Sequence, residues 1–190
     1  MFSKKRICLI VIIVLLIIVG VYGIVRMDVS YQAAYPKTPA GKIQIKVIPA
    51  SLLMSTSKQG DYFDRGNELF SRLFTYINEN KVSMTVPVEA EIKNARMKFY
   101  IGTADRKKNL RDGSQVTVIT EKRRTVVSCG IRGGYSRTNF QKAKARLETW
   151  LQENTGYQRA GDAYAVYWNS PFMPWFLKRS EVHIPVIKRQ

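Results

Sequence analysis

A single histidine, His183, bounds the chemistry open to this chain of 190 residues. Catalysis by a serine–histidine–acid or cysteine–histidine arrangement would have to use it, and nothing near it in sequence looks like a nucleophile. It stands between Val182 and Ile184. The alternation of Val182, Ile184 and Val186 turns it to the opposite strand face, where a solvent-facing or rim position is expected. An axial iron ligand is the sharper reading of the same residue. Zinc is excluded by count, because His183 and Cys129 alone do not fill a site. Cys8 lies in a long apolar run and cannot meet Cys129, so no intramolecular disulfide is expected.

Two further arrangements invite a chemical reading and have a plainer one. Glu89 and Glu91 fall on one face of a strand, about 7 Å apart by strand rise. A glycosidase pair has that look, and so does a solvated strand face, which is far commoner. Gly130-Ile131-Arg132-Gly133-Gly134 precedes a helix. The spacing is not that of a phosphate loop, and no Lys-Ser/Thr follows, so a tight turn is expected.

The segment Trp168 to Leu177 is different. Trp168, Phe172, Met173, Trp175, Phe176 and Leu177 crowd around Pro171 and Pro174, with Lys178 and Arg179 immediately after. No helix runs through those prolines. An apolar loop beside a basic pair suits a flat tetrapyrrole with carboxylates: rings need aromatic and aliphatic walls, and carboxylates need Arg or Lys. A plug for the end of a sheet is the structural alternative, and a loop dipping into a membrane is a third.

Periodicity supplies the elements that hold these residues. Ile43, Ile45 and Val47 alternate with polar residues as a half-buried strand. Asp61 is a plausible N-cap for a helix over Asp61–Asn80, with Phe63, Phe70, Leu73, Phe74 and Ile77 as its apolar stripe. Met84 to Ile92 alternates over nine residues, and Pro87 places that strand at an edge or a bulge. Met97, Phe99 and Ile101 give a hairpin partner, and Asp105–Gly113 is a charged loop. In the second half, Val116–Thr120 and Thr125–Ile131 read as strands. Thr138-x-x-Gln141 reads as a capping box for a helix to Asn154, with Phe140, Ala143, Leu147, Trp150 and Leu151 on one face. Tyr164–Trp168 and Val182–Val186 read as the last strands. Strand, helix and strand pair therefore occur twice. The expected fold is α+β: a largely antiparallel sheet carrying two helices.

Three pieces of this pattern carry a resemblance. They are the helix segment Leu73-Phe74-Thr75-Tyr76-Ile77, the strand start Met84-Thr85-Val86-Pro87-Val88, and Trp168 to Val182 with its prolines and basic pair. In this order and spacing they resemble the SOUL haem-binding family, over roughly Lys42 to Val186. The resemblance implies a distorted antiparallel β-barrel with two helices and a pseudo-twofold repeat. It also implies haem or another tetrapyrrole held between the first helix and the proline-rich loop. Carried over by position, the walls are Phe70, Leu73, Phe74 and Ile77 from the helix, with Phe172, Met173 and Trp175 from the loop. Arg72, Lys178 and Arg179 are the propionate partners. The histidine that some members offer to iron has no counterpart here, so binding without strong axial ligation is expected. Such a protein buffers or hands on its ligand and does no bond chemistry. The alternative is a small-molecule-sensing or protein-interaction module that uses the same cleft without haem.

Charge and hydropathy set the organisation. There are 31 basic and 14 acidic residues, a formal net charge of +17, which favours anionic partners. Ile7 to Val25 is uncharged and mostly Ile, Val and Leu, about 28 Å long as a helix. Lys4, Lys5 and Arg6 precede it. The reading is a basic flank over 1–6, a transmembrane anchor over 7–25, a stalk over 26–42 and a ligand-binding domain over 43–190. The N-terminus is then cytoplasmic and the domain lies on the outer side. Anionic lipid headgroups are the nearest polyanion for a domain so tethered, and no nucleic acid is expected.

Overall fold

The computed structural model describes residues 4–29 and 31–189; within the first helix, side chains are described at 6, 7, 9–20, 22 and 23. The chain forms two compact units, Met1–Tyr31 and Gln32–Gln190. The first is a single helix, α1 (Lys4–Val29), whose described apolar side chains are exposed. Residues 1–3 of the expected basic flank lie outside the described residues. Among the described residues no helix is long and apolar enough to cross a membrane. The expected transmembrane anchor, and with it the cytoplasmic N-terminus and outward-facing domain, is corrected on this finding.

The second unit is built on an antiparallel sheet. Its strands are β2 (Ile43–Ile48), β3 (Ser51–Ser57), β5 (Val88–Glu91), β6 (Arg96–Tyr100), β7 (Thr117–Glu121), β8 (Arg124–Arg132), β10 (Tyr164–Tyr167) and β11 (Arg179–Lys188). They lie in the order β2-β8-β11-β10-β5-β6-β3-β7, with β9 (Tyr157–Arg159) pairing the far end of β11. A separate parallel pair joins β1 (Gln32–Ala33) to β4 (Thr85–Val86). The order reads the same from either end: β8-β11-β10 mirrors β3-β6-β5 about the β5–β10 contact. Each half is a strand, a helix and a hairpin, so the repeated pattern of the sequence is the pseudo-twofold of the fold.

Two helices cover one face. α2 (Tyr62–Glu79) starts at Asp61, whose side chain accepts from Phe63 N, as expected of an N-cap. α3 (Arg137–Glu153) starts at Ser136, whose hydroxyl accepts from Asn139 N at 3.2 Å. The expected Thr138 cap is thus displaced two residues upstream. Leu69, Leu73 and Ile77 of α2 and Phe140, Ala143 and Leu147 of α3 pack on Met97, Phe99, Val127, Val182 and Ile184 of the sheet. Each fully buried Leu or Ile contributes roughly 1.5–3 kcal/mol relative to exposure.

One strand expectation changes, and one strand has no counterpart among the expectations. Met84–Ile92 is divided into β4 and β5 across a cis Val86–Pro87 peptide, where proline has no N–H for the ladder. β3 escaped the alternation test because Leu53 and Met54 are both fully buried, one on each face; such a strand reads as a continuous apolar run.

Candidate functional site

The face without helices carries the polar chemistry. Alternation sends Glu89, Glu91, Lys98, Tyr100, Tyr164, Glu181 and His183 to this side. The register sets Glu181, Val166 and Glu89 in one row across β11, β10 and β5, and His183, Tyr164 and Glu91 in the next. The face is nevertheless closed to water. Residues 35–40 run across it as a strap, pinned by a bridge between Ala40 and Gly130. Gly130 makes that approach possible: a Cβ there would collide with Pro39 O and lie 2.6 Å from Thr38 O. The expected turn glycine is a strand residue whose missing side chain admits the strap.

Under the strap, His183 is fully buried, which corrects the expected solvent or rim position. The face was rightly assigned; the strap that covers it was not visible in the periodicity. His183 Nε2 lies 2.6 Å from Glu181 Oε2, and Nδ1 lies 3.1 Å from the Tyr164 hydroxyl. Arg124 Nη2 donates to Tyr164 at 3.3 Å and to both Glu89 oxygens at 2.6 and 2.7 Å. These directions agree in one pattern: Arg124 donates to Tyr164, Tyr164 donates to Nδ1, and Nε2–H donates to Glu181. Tyr100 and Tyr35 complete Glu89, the latter at 3.4 Å. Ser128 Oγ at 2.7 Å, Thr38 N at 2.6 Å and Lys46 Nζ at 2.8 Å complete Glu181.

The electrostatics follow from this pairing. Burial would raise the Glu181 pKa, but His183 and Lys46 overcome it and hold the carboxyl down at about 2. Burial lowers the pKa of His183 and outweighs the pull of Glu181, so the ring is neutral. Burial works against the charge of Arg124, and Glu89 wins, lifting its pKa above the ordinary value. Glu89 is therefore a buried, ion-paired carboxylate and not part of a solvated strand face, which corrects that expectation. Glu91 does share the face, bound to Lys98, whose other partner is Glu121.

The apolar loop lies at the end of β10 and β11. Phe172 and Trp175 are 87% and 70% exposed, and Phe176 is half exposed; Met173 is buried beneath them. Trp175–Leu177 makes one 3₁₀ turn. Arg132 Nε donates to Phe176 O at 3.2 Å, and Lys178 Nζ donates to Pro171 O at 2.9 Å beside the Tyr135 ring.

The helix residues that the resemblance grouped with this loop are placed as follows. Leu73 and Ile77 are in the core under α2. Phe70 stacks on Phe74 at 5.8 Å and meets Phe99 edge-on, and Phe74 is partly exposed. Arg72 Nη2 bonds Glu68 at 2.7 Å. A cavity of about 380 Å³ opens beside them, lined by Glu68, Ser71, Arg72, Thr75 and Glu79 of α2 and by 113–116. A second, of about 10 Å³, lies between the start of α3 and β10–β11. Neither cavity is lined by both α2 and the loop. Among the described residues no group of three or more His, Cys, Asp or Glu is placed to hold a metal ion.

An antiparallel half-barrel with two helices on one face and a closed polar face on the other defines an α+β domain built of two half-repeats. The family model described as SOUL heme-binding protein matches residues 28–185, and the chain belongs to that family. Among solved structures, it is similar to the C-terminal domain of EcmrR at 16% identity, with 78% of this chain and 98% of that one covered and a TM-score of 0.60. In an EcmrR–DNA complex the likeness is 15% identity and TM-score 0.61, and the chain spans 58% of that protein's length. A hydrolase from Listeria innocua is 14% identical, with 79% and 94% covered and a TM-score of 0.53. These likenesses are of fold alone. No curated protein matches the chain.

Proposed function

We propose that the domain binds a tetrapyrrole, with haem the first candidate, and carries it without bond chemistry. The observation that supports this reading is the exposure of Phe172 and Trp175, on a loop flanked by Arg132, Lys178 and Arg179, in a member of a family described as heme-binding. Large aromatic side chains held out in water mark a binding surface, and the adjacent cations match propionates. In this proposal Phe172, Trp175 and Phe176 contact the ring, and Met173 supports the loop from below. Phe74 and the edge of Phe70 offer a second aromatic surface on α2. Leu73 and Ile77 contribute by holding α2 in place.

The fit is to the macrocycle and its carboxylates, with no histidine available to iron. Both nitrogens of His183 are engaged, with Glu181 and Tyr164. Arg72 faces a carboxylate, Glu68, which also favours the loop end over the 380 Å³ cavity for an anionic ligand. Haemin titrated into the protein gives a saturable Soret band. Trp175→Ala weakens binding by about 1–3 kcal/mol, the scale of one aromatic contact. A Trp175→Ala protein with unchanged haemin affinity and a lowered melting temperature would make the loop a plug and the reading wrong.

A further inference from the structure

The strand order ends at β2 on one side and at β7 on the other, and the two ends are finished differently. Lys42 O accepts from Gly130 N at 3.0 Å, one step before the Ile43–Cys129 pair of the β2–β8 register. Hydrogen-bonded pairs alternate along an antiparallel ladder. Gln44, Lys46 and Ile48 therefore bond to β8, and Ile43, Ile45 and Val47 turn their N–H and C=O groups to the free edge. Among the described residues no loop or turn backbone group bonds to these three. Their side chains share the helix-covered face with Cys129 and Val127. The cover does not reach the outer part of the strand, where Ile45 is 38% and Val47 44% exposed.

The β7 edge is closed by its own chain. Val118 N donates to Asp112 Oδ1 at 2.8 Å, and Gly113 N donates to Val116 O at 2.8 Å just before the strand. Its exposed residues are Thr117 and Thr120. An open edge with exposed apolar side chains is a template for another strand, and a capped polar one is not.

We propose that β2 pairs antiparallel with β2 of a second copy of this chain, centred on Ile45, so that two half-barrels share one continuous sheet. The strand is self-complementary in that register, as a twofold contact requires. Ile45 faces the partner's Ile45, and Ile43 faces the partner's Val47. All of these pairs fall on residues whose backbone groups point outward, so each can exchange two hydrogen bonds. The apolar side chains then meet on one face, and on the other Gln44 faces the partner's Lys46. Other registers lose contacts. Centring on Lys46 sets two ammonium groups opposite each other and brings Ile43 against Pro49, which has no N–H. Centring on Gln44 sets Val47 against Gly41, whose φ of 79° takes it out of the strand. Repulsion between two copies of formal charge +17 is screened at physiological ionic strength, where the Debye length is about 8 Å. One strand pair buries little surface, so the contact is weak and concentration-dependent. It does not rest on the tetrapyrrole reading.

The test uses the full chain. Amide exchange of the ¹⁵N-labelled protein is followed at low and high protein concentration. Gln44, Lys46 and Ile48 are protected at both, through β8. The amides of Ile43, Ile45 and Val47 exchange freely when dilute and slow by about tenfold once nine copies in ten are paired, since only the unpaired copy exchanges. Ile45→Cys, made with Cys8→Ser, forms a linked dimer under mild oxidation, because the facing Cα atoms lie about 5.5 Å apart, within reach of a disulfide. The remaining cysteine, Cys129, is buried. Gln44→Cys in the same background does not link to itself. Edge amides whose exchange is unchanged by concentration, or a link at 44 as ready as at 45, overturn the proposal. Self-association through α1 alone gives the first of those results.

Discussion

Leu69, Leu73 and Leu147 lie over one face of the sheet; Glu89, Glu181 and His183 lie on the other, and all six are withheld from water. The helix-covered face is held by non-directional burial, which tolerates repacking of similar volume. The strap-covered face is held by directional bonds, in which each group depends on named partners. The strap of residues 35–40 supplies Tyr35 to Glu89 and Thr38 to Glu181. Removing part of an apolar face leaves a gap. Removing one partner from the polar face leaves a charge without a counterpart, and the cost rises accordingly. The two faces are thus buried alike and fail differently.

The comparison is tested most severely at Arg124. Arg124→Met leaves Glu89 buried without its cation and destabilises the protein by about 3–5 kcal/mol in urea unfolding. Adding Glu89→Gln to Arg124→Met recovers a large part of that loss. If the pair of changes is no better than the single one, the polar face does not depend on charge pairing. On the apolar face, Leu73→Ala costs about 2–5 kcal/mol, and no second substitution of a polar group recovers it. Gly130→Ala probes the strap directly, because the new methyl meets the backbone of Pro39 and Thr38. A loss of about 1–3 kcal/mol by thermal unfolding is expected from overpacking.

Acid separates the faces by pH. His183 has its pKa lowered in the fold, so the unfolded chain takes up the proton first and stability declines as pH falls below about 6.5. Glu181 is held at about 2, so its contribution is complete above about 4.5 and is lost as pH falls toward 2. The Glu181 phase is of order a few kcal/mol. Glu181→Gln removes that phase, whereas Leu73→Ala lowers stability equally across the range. A wild-type melting temperature that is flat from pH 7 to 3 would contradict the pairing. The smallest stability effect belongs to the loop: Phe172→Ser changes unfolding by less than about 0.5 kcal/mol, because an exposed side chain contributes little to the fold.

Much of the apolar face was legible in the sequence. The stripe from Leu73 to Ile77, the Asp61 cap and the two-residue period of Val182, Ile184 and Val186 report burial against a neighbour of known kind. The repeat of strand, helix and hairpin, and with it the half-barrel, could be read the same way. The polar face was not legible. Glu89 and His183 alternate with apolar residues as any solvent-facing residue does. Only the strap, brought back across the sheet by the bridge at Gly130, makes them buried. Nothing in the local pattern near Tyr35 or Thr38 reports a partner more than fifty residues away. Leu53 and Met54 were missed for a related reason, since a strand buried on both faces has no period to read. The loop from Pro171 to Leu177 was legible in composition. Its place between the last two strands was legible as well, but its position apart from the cavity beside Arg72 was not.

That position carries the central claim, that the ligand is taken at the loop end and not in the cavity beside Arg72 or within the strapped face. The most direct test is to map amide and indole shifts of the ¹⁵N-labelled protein on titration with protoporphyrin. The account predicts that the largest changes fall on Trp168 to Arg179 and on Arg132, with His183, Tyr164 and the 113–116 segment unmoved. Largest changes at 113–116 and Arg72, or at His183 and Tyr164 with the loop silent, would contradict it.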